Sequence, residues 1–287
     1  WWQDFCYEYS TATIGVTNDP IQRRPDNLIN QQGIGGDAVE LMESGHLFDK
    51  VGNNYVFGTT TTSQNGDLGA LTTYGAEDVY VRVFDDNLDL ICDRVIGGSG
   101  SDHVMSIKGT RDQGLIITGY TESNDGDFNF DGPGDKDIFI AKLKDCDIEW
   151  ITKLGGRRND FGTDVIQTLD GGYLITSYSH SDDVDMYFPN FITNGYDAYI
   201  IKVSPIGAVE WIRPMGGDQD DIPTSVIFNP DLNEYIIAGS SNSSDLSVPL
   251  TGGKDFWVRG LNMSGLTVWE NLYGGTGDDV ISSIVPT

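Results

Sequence analysis

A phrase of sequence that recurs at a nearly constant interval is the feature that most constrains the fold. Each copy begins with an aspartate and a short apolar run, and it continues to a glycine pair and a second aspartate. The opening aspartates, Asp78, Asp137, Asp197 and Asp255, lie 59, 60 and 58 residues apart. A fixed period of this length predicts an array of one repeated supersecondary unit, not a set of independent cores.

Each unit contains four stretches of strand-like composition, and none of them shows a sustained apolar stripe with helical period. In the second unit, the first two strands are predicted at 104–108 and 115–120. The third strand is the run after Asp137, which is apolar on both faces, and the fourth carries Trp150. Four short strands per repeat are typical of propeller blades. We therefore predict an all-β fold, a β-propeller of four-stranded blades.

The repeat predicts a single β-propeller domain over residues 1–287. Residues 280–285 have the pattern of the first strand of a fifth blade. The irregular segment 1–36 is expected to complete that blade and so remove exposed sheet edges. Five blades is the prediction, and part of a larger propeller is the alternative. The units are expected at about 37–96, 97–154, 155–215 and 216–273, with a partial unit at 274–287.

Three tryptophans, Trp150, Trp211 and Trp269, occupy the same position in successive fourth strands. Burial of each ring should contribute about 1.5–3 kcal/mol, so we predict that these rings pack between neighbouring blades. The first unit has Cys92 in that position, which predicts a small buried apolar side chain. Among the three cysteines, a bridge between Cys6 and Cys146 is the one disulfide that we consider.

The charge balance restricts the partners. Seventeen Lys and Arg oppose 44 Asp and Glu, and the net charge is −27. Such a surface repels phosphate backbones and anionic lipids, so we expect no nucleic acid partner. No apolar run reaches the length of a membrane-spanning helix, so we expect no membrane insertion. Cations, basic protein surfaces and neutral glycans are the partners that this charge favours.

Two groups of aspartates recur in every unit and are expected at the same end of the blades. The simplest interpretation is structural, since an aspartate beside a tight turn accepts backbone N–H bonds. One group follows the glycine pairs: Asp102, Asp160, Asp221 and Asp279. The other opens the third strands: Asp78, Asp137, Asp197 and Asp255.

A second interpretation assigns calcium to one loop. The stretch 127–132 matches the opening of an EF-type calcium loop, in which alternating oxygen ligands precede a glycine. It departs from that motif because Ile138 stands where a bidentate Glu is expected. We predict at most one calcium ion here as a cofactor. Its candidate ligands are Asp125, Asp127, Asn129, Asp131, Asp135 and Asp137.

The repeated motifs together identify a resemblance. In chain order these motifs are Asp-x-Phe-Ile-x-Lys-Leu at 137–143, Trp-x4-Gly-Gly-x3-Asp at 150–160 and Asp-Gly-Gly-Tyr-Leu-Ile-Thr at 170–176. This set resembles the secreted bacterial β-propeller repeat family over about residues 37–287. The resemblance implies a propeller fold and a secreted or cell-surface protein. Many members carry a sorting domain for type IX secretion, and the resemblance implies no catalytic residue.

The leading functional prediction is a non-enzymatic extracellular binding propeller. Loops of unequal length on a rigid frame favour recognition of a glycan or a partner protein through the acidic loop face, as in carbohydrate binding or adhesion. His46, His103 and His180 lie at unrelated repeat positions, so no catalytic triad or metal triad is predicted. One alternative is a polysaccharide-active hydrolase with a pair of carboxylates in the central channel. The other is a structural surface or filament subunit.

Overall fold

A computed structural model describes residues 40–41, 47–51, 54–61, 73–85, 87, 89–129, 135–188 and 195–285. Within these residues, seventeen β-strands form four antiparallel sheets, and two single-turn 3₁₀ helices lie between strands. The described residues include no helix that is long and apolar enough to cross a bilayer. The prediction of an all-β fold is confirmed.

We number the sheets as blades 1 to 4. Blade 1 contains β1 (Glu40–Leu41), β2 (Leu47–Val51), β3 (Asn54–Thr61), β4 (Asp78–Phe84) and β5 (Leu90–Ile96). Blade 2 contains β6 (Asp102–Gly109), β7 (Leu115–Thr121), β8 (Asp137–Lys144) and β9 (Asp147–Leu154). Blade 3 contains β10 (Asp160–Gln167), β11 (Tyr173–Ser179), β12 (Asp197–Val203) and β13 (Val209–Met215). Blade 4 contains β14 (Asp221–Asn229), β15 (Glu234–Ser241), β16 (Asp255–Leu261) and β17 (Thr267–Tyr273).

Blades 2 to 4 are meanders in which each strand pairs with the next in sequence. The four-stranded blades predicted from the repeat are therefore confirmed. Blade 1 is different, because the short strands β1 and β2 both pair with β3. Sequence spacing gives no indication of this double pairing, since both strands are brief and lie where the repeat is degenerate.

The strand predicted at 280–285 is absent from the structure. This segment pairs with no described strand in a ladder, and Val280 and Val285 are 69% and 70% exposed. A segment becomes a strand only when a neighbouring strand satisfies its backbone groups, whereas the Ile284 backbone contacts the side-chain hydroxyl of Ser225 on β14 and not the backbone of that strand. Residues 1–36 lie outside the described residues, so closure by a fifth blade stays a prediction.

The third strands are buried on both faces because each lies between two cores. Phe139 and Ala141 of β8 join a cluster with residues of blade 1. Ile138 and Ile140 point to the opposite face and join a cluster with residues of blade 3. Correspondingly, the first strand of a blade packs on the blade before it: β6 contacts β2, β3 and β4, and β10 contacts β6, β7 and β8. Alternate side chains of one strand thus fill two interfaces.

The repeated tryptophans bridge neighbouring blades at two positions. Trp150 donates from Nε1 to the carbonyl oxygen of Pro205 in blade 3, at 3.1 Å, and its ring lies 5.7 Å from that of Tyr173. Trp211 packs against Gly265 of blade 4 in the same way. Trp269 instead donates to Glu234 within its own blade, at 2.8 Å.

Replacement of Gly207 by Ala should separate ring packing from backbone strain. A Cβ on Gly207 would lie 2.5 Å from Cε3 of Trp150. Gly171 has a similar positive φ, 88° against 80°, but its Cβ would meet only Pro205 Cγ, at 3.7 Å. We expect Gly207→Ala to lower the unfolding free energy by about 1–3 kcal/mol more than the control Gly171→Ala. Equal losses in urea titrations would show that the Trp150 contact contributes nothing.

The cysteine pairing differs from the predicted bridge between Cys6 and Cys146, and from the prediction of an unpaired Cys92. Cys92 on β5 forms a disulfide with Cys146, and the two Cα atoms are 6.2 Å apart. Side chains at the tryptophan position reach the turn between the third and fourth strands of the next blade, as Trp150 reaches Gly207. Cys146 occupies that turn in blade 2. Cys92 is therefore bridged to the next blade, and it is not a free buried thiol.

Candidate functional site

The candidate site lies at one end of the blades, which we call the Gly-Gly end. Here first strands begin, second strands end and third strands begin. The register in blade 2 places Asp102 opposite Thr121, and Thr121 opposite Asp137. The glycine pairs join each blade to the next at this end. The prediction that both groups of aspartates lie at one end agrees with this register.

The aspartates that open the first strands hold the glycine loops in place. Asp160 accepts at Oδ2 from the Gly156 N–H, at 2.7 Å, and from Ser181 Oγ, at 3.1 Å. Its Oδ1 accepts from the Ser179 hydroxyl. Asp102 makes the same three contacts in blade 2, and Asp221 makes the first two in blade 4. The carboxylate therefore ties a loop to the serine that follows the second strand.

The glycine pair is required by this close packing. A Cβ on Gly155 would lie 2.2 Å from Asp137 Oδ1 and 2.8 Å from Asp160 Oδ2. A Cβ on Gly156 would lie 2.4 Å from Cβ of Ser181. Any side chain at either position would therefore displace the carboxylates or the serine. The recurrence of the pair in every unit has a structural cause.

Burial changes the acidity of these groups. It raises the pKa of Asp160 to about 7, against the opposing effect of hydrogen bonds from Ser179, Gly156 and Ser181. It likewise raises the pKa of Asp78 to about 6. The pKa of Asp197 rises to about 8 because burial is reinforced by the carboxylates of nearby aspartates. An aspartate in this environment holds its proton far above the usual range.

The described candidate ligands of the predicted calcium loop make separate contacts. Asp125 accepts from the Ser99 N–H at 2.6 Å, and Asp127 contacts the Gly97 N–H and Arg94, both at 3.2 Å. Asp137 instead faces Gly155, at the boundary between blades 2 and 3.

The other predicted ligands give no further support to that loop. Asn129 and Asp135 are exposed, and Asp131 lies outside the described residues. Over the described ranges, no group of three or more His, Cys, Asp or Glu side chains is arranged to hold a metal. Binding of calcium by this protein stays a prediction.

An aromatic row at the Gly-Gly end was missed from the sequence. It consists of six rings that are in contact in succession. The centroid distances are 4.6 Å for the first pair of rings, 5.1 Å for the next and 4.7 Å for the third. The last two pairs are 5.4 and 5.1 Å apart. In order, the aromatic row is His103, Tyr120, Phe161, Tyr178, Tyr196 and His180.

Charged side chains border the aromatic row. Lys136 Nζ lies 4.4 Å from the centroid of Tyr120 and 3.3 Å from a carboxylate oxygen of Glu122. His103 Nε2 lies 2.6 Å from Oε2 of Glu77. The blade 3 members of the row and Lys136 are half-buried, so each of these residues is partly open to solvent. This combination offers flat apolar faces beside hydrogen-bonding groups.

The fold does not require aromatic residues at these positions. Phe161 pairs with Tyr178 in blade 3, whereas the corresponding positions in blade 4 hold Ile222 and Ser240. The residue before the third strand varies in the same way, since it is Tyr196 in blade 3 but Lys254 in blade 4. Among the described residues, the aromatic row is therefore confined to blades 2 and 3. A repeat built for stability alone would not single out these two blades.

Comparison with known proteins gives no family. No protein-family model and no curated protein matches the chain. A solved ACO/RPE65 chimera in a trigonal crystal form is similar with a TM-score of 0.43 and 10% identity, over 80% of this chain and 49% of that one. Kuenenia stuttgartiensis hydrazine synthase gives 0.43 and 12%, over 80% and 66%. A mutant of Synechocystis apocarotenoid oxygenase gives 0.41 and 11%, over 77% and 46%. This chain therefore spans about half the length of the two oxygenase structures.

Proposed function

We propose that this protein is a non-enzymatic, extracellular or cell-surface propeller that binds a neutral glycan through the aromatic row. The observation that carries the proposal is the row itself. Its rings are continuous, the four rings of blade 3 are partly exposed, and the row is confined to two of the four described blades. Binding surfaces are commonly built where a rigid frame holds such side chains in fixed positions.

The chemistry of the aromatic row fits a sugar. Aromatic rings combine a flat apolar body with polar tips, which suits a ligand that has apolar C–H faces and hydroxyl edges. Lys136, Glu122 and His180 surround the rings with hydrogen-bond donors and acceptors. The net charge of −27 opposes acidic polysaccharides, so the ligand class is a neutral glycan.

The buried carboxylates argue against a hydrolase. A glycosidase needs one acid of raised pKa that touches the glycosidic oxygen. Each described aspartate whose pKa is raised is at most 1% exposed, including Asp160 and Asp197. A sugar cannot reach these groups without local unfolding. They are consistent with a structural role between blades.

The disulfide supports a location outside the cytoplasm. Structural disulfides persist in oxidising compartments and are rare where thiols are kept reduced. Cys92–Cys146 joins two blades, so it belongs to the frame and not to a mobile tail. Secretion and surface display are therefore part of the proposal. Export by a bacterial type IX route rests on the sequence resemblance alone.

A glycan array followed by calorimetric titration tests the proposal. We expect a neutral oligosaccharide to bind, and Phe161→Ala to weaken its binding about fivefold or more, since one stacked ring contributes roughly 1 kcal/mol or more. Tyr187→Ala is the matched control, because Tyr187 is 62% exposed and lies outside the aromatic row. Unchanged melting temperatures would show that both variants are folded.

Other outcomes would separate the alternatives. Equal affinity in the two variants would remove the aromatic row as the site. Release of reducing ends from a polysaccharide would contradict the non-enzymatic assignment. An array with no bound glycan, together with capture of an extracellular protein that Phe161→Ala abolishes, would leave the surface but change its partner.

A further inference from the structure

A groove of about 410 Å³ lies between the fourth strands of two neighbouring blades, β13 of blade 3 and β17 of blade 4. Arg213, Pro214 and Met215 line it from β13, and Thr267 and Glu270 line it from β17. Its described lining includes none of the six rings of the aromatic row. A cavity of this size can hold a small-molecule ligand.

Arg213 brings a positive charge into this groove that no described carboxylate pairs with. Its guanidinium stacks on Trp211, with Cζ 5.3 Å from the ring centroid, and Nη1 donates to the carbonyl oxygen of Ile212 at 3.2 Å. Nε is buried and has no hydrogen-bond partner among the described residues. A guanidinium has five N–H donors and binds carboxylates preferentially. The group therefore points to an acceptor that the described chain does not supply.

The internal repeat shows how an equivalent arginine is neutralised elsewhere in the fold. Arg94 of β5 lies opposite the fourth residue of β4, and Arg213 of β13 lies opposite the fourth residue of β12. The two arginines are therefore equivalent. Arg94 forms an ion pair with Asp127 of blade 2, and its Nη2 lies 3.2 Å from Oδ1. An arginine at this position can thus take a carboxylate from the next blade.

Blade 4 has a serine where blade 2 supplies that carboxylate. Asp125 and Asp245 are equivalent, because each accepts from the N–H of the first residue after a glycine pair, at 2.6 and 2.8 Å. Two residues later, blade 2 has Asp127 and blade 4 has Ser247. Ser247 also lines the groove. The position from which a carboxylate would neutralise Arg213 is therefore held by a neutral side chain.

Glu270 does not take the place of that carboxylate. Its Oε1 contacts the guanidinium of Arg259, and its Oε2 accepts from the hydroxyl of Ser247. Both oxygens of Glu270 are therefore occupied, and its charge is met by Arg259. The groove thus contains one neutralised ion pair and one further cation, Arg213.

We propose that this groove binds a small monocarboxylate, whose carboxylate group lies beside Arg213 as Asp127 lies beside Arg94. Charge-assisted hydrogen bonds from a guanidinium favour such a group. Pro214 and the 54% exposed Leu266 line the groove with apolar surface for the body of the ligand. The net charge of −27 opposes polyanions, which limits the ligand to one acidic group. This site is separate from the aromatic row and does not depend on glycan binding.

Calorimetric titration with sodium butyrate tests the proposal, and butyramide is the neutral probe of the same shape. We expect butyrate to bind the wild type at one site and butyramide not to bind. Arg213→Gln removes the charge and should weaken butyrate binding about tenfold or more, since a hydrogen bond between charged groups is lost. Arg94→Gln is the matched control, because Arg94 lies outside the groove and is paired with Asp127. It should bind butyrate as the wild type does.

Ser247→Asp provides a second variant that leaves Arg213 in place. It restores the carboxylate that blade 2 has at this position, so the chain itself should neutralise Arg213 and butyrate binding should be lost. Thermal melts without butyrate check that each variant is folded. The proposal is overturned if butyrate does not bind the wild type, or if butyramide binds equally well. It is also overturned if Arg213→Gln or Ser247→Asp retains the wild-type affinity.

Discussion

Replacing both Cys92 and Cys146 by serine should lower the unfolding free energy by about 4 kcal/mol. The disulfide closes a loop across a sequence separation of 54, and it links β5 of blade 1 to the turn that precedes β9 of blade 2. Its removal restores conformational freedom mainly to the unfolded chain. Urea titrations of the variant and the wild type measure the loss.

Reduction of the wild type is the internal control for this prediction. A reductant should destabilise the wild type by a similar amount and should leave the double variant unchanged. Each single serine variant should match the double variant, since one cysteine cannot form the bridge. A double variant as stable as the oxidised wild type would show that blades 1 and 2 hold together without the covalent link.

Raising the pH from about 5 to about 9 should destabilise the protein. Each unit by which the pKa of a group in the folded state exceeds its unfolded value corresponds to about 1.4 kcal/mol of stability that is lost. Burial raises the pKa of Asp78 to about 6 and of Asp160 to about 7, from a usual value of 3.8. The folded state therefore holds protons that the unfolded state has released. The stability that these protons contribute is complete below pH 3.8 and is lost as the pH rises through about 6 and 7.

Urea titrations across this range, in the presence of a chelator, check the sign. Asp160→Asn should show a flatter dependence, because it carries no proton to lose. Aspartates whose pKa is lowered are charged in both the folded and the unfolded state across this pH range, so they do not change the slope of stability against pH. Burial of Asp112, for example, is outweighed by hydrogen bonds from Thr110 and Lys142 that lower its pKa to about 2. A wild type that becomes more stable between these pH values would contradict the account of the buried carboxylates.

The blades could be predicted because the apolar pattern of each repeated strand matches the way that strand packs between neighbouring blades. The apolar runs after Asp137 and Asp197 are buried on both faces, as their composition indicates. The prediction failed where pairing depends on a distant partner. The segment at 280–285 has a strand-like sequence, yet no described strand forms a ladder with it.

The site was less predictable, because its contacts join positions that no short motif connects. Tyr120 and Phe161 belong to different blades, and their rings meet only after the blades are stacked. The recurrence of tyrosine at 120 and 178 was the one available signal. The disulfide was missed for the same reason, since Cys92 and Cys146 occupy different repeat positions.

The measurement that tests the proposed function most directly is hydrogen–deuterium exchange with and without a bound neutral glycan. We predict that protection concentrates at the Gly-Gly end, in peptides that cover 101–103, 120–122, 159–162, 178–180 and 195–197. The turns at the opposite end, at 110–114, 168–172 and 204–208, should exchange at unchanged rates. Protection of those turns instead, with the aromatic row unaffected, would contradict the account.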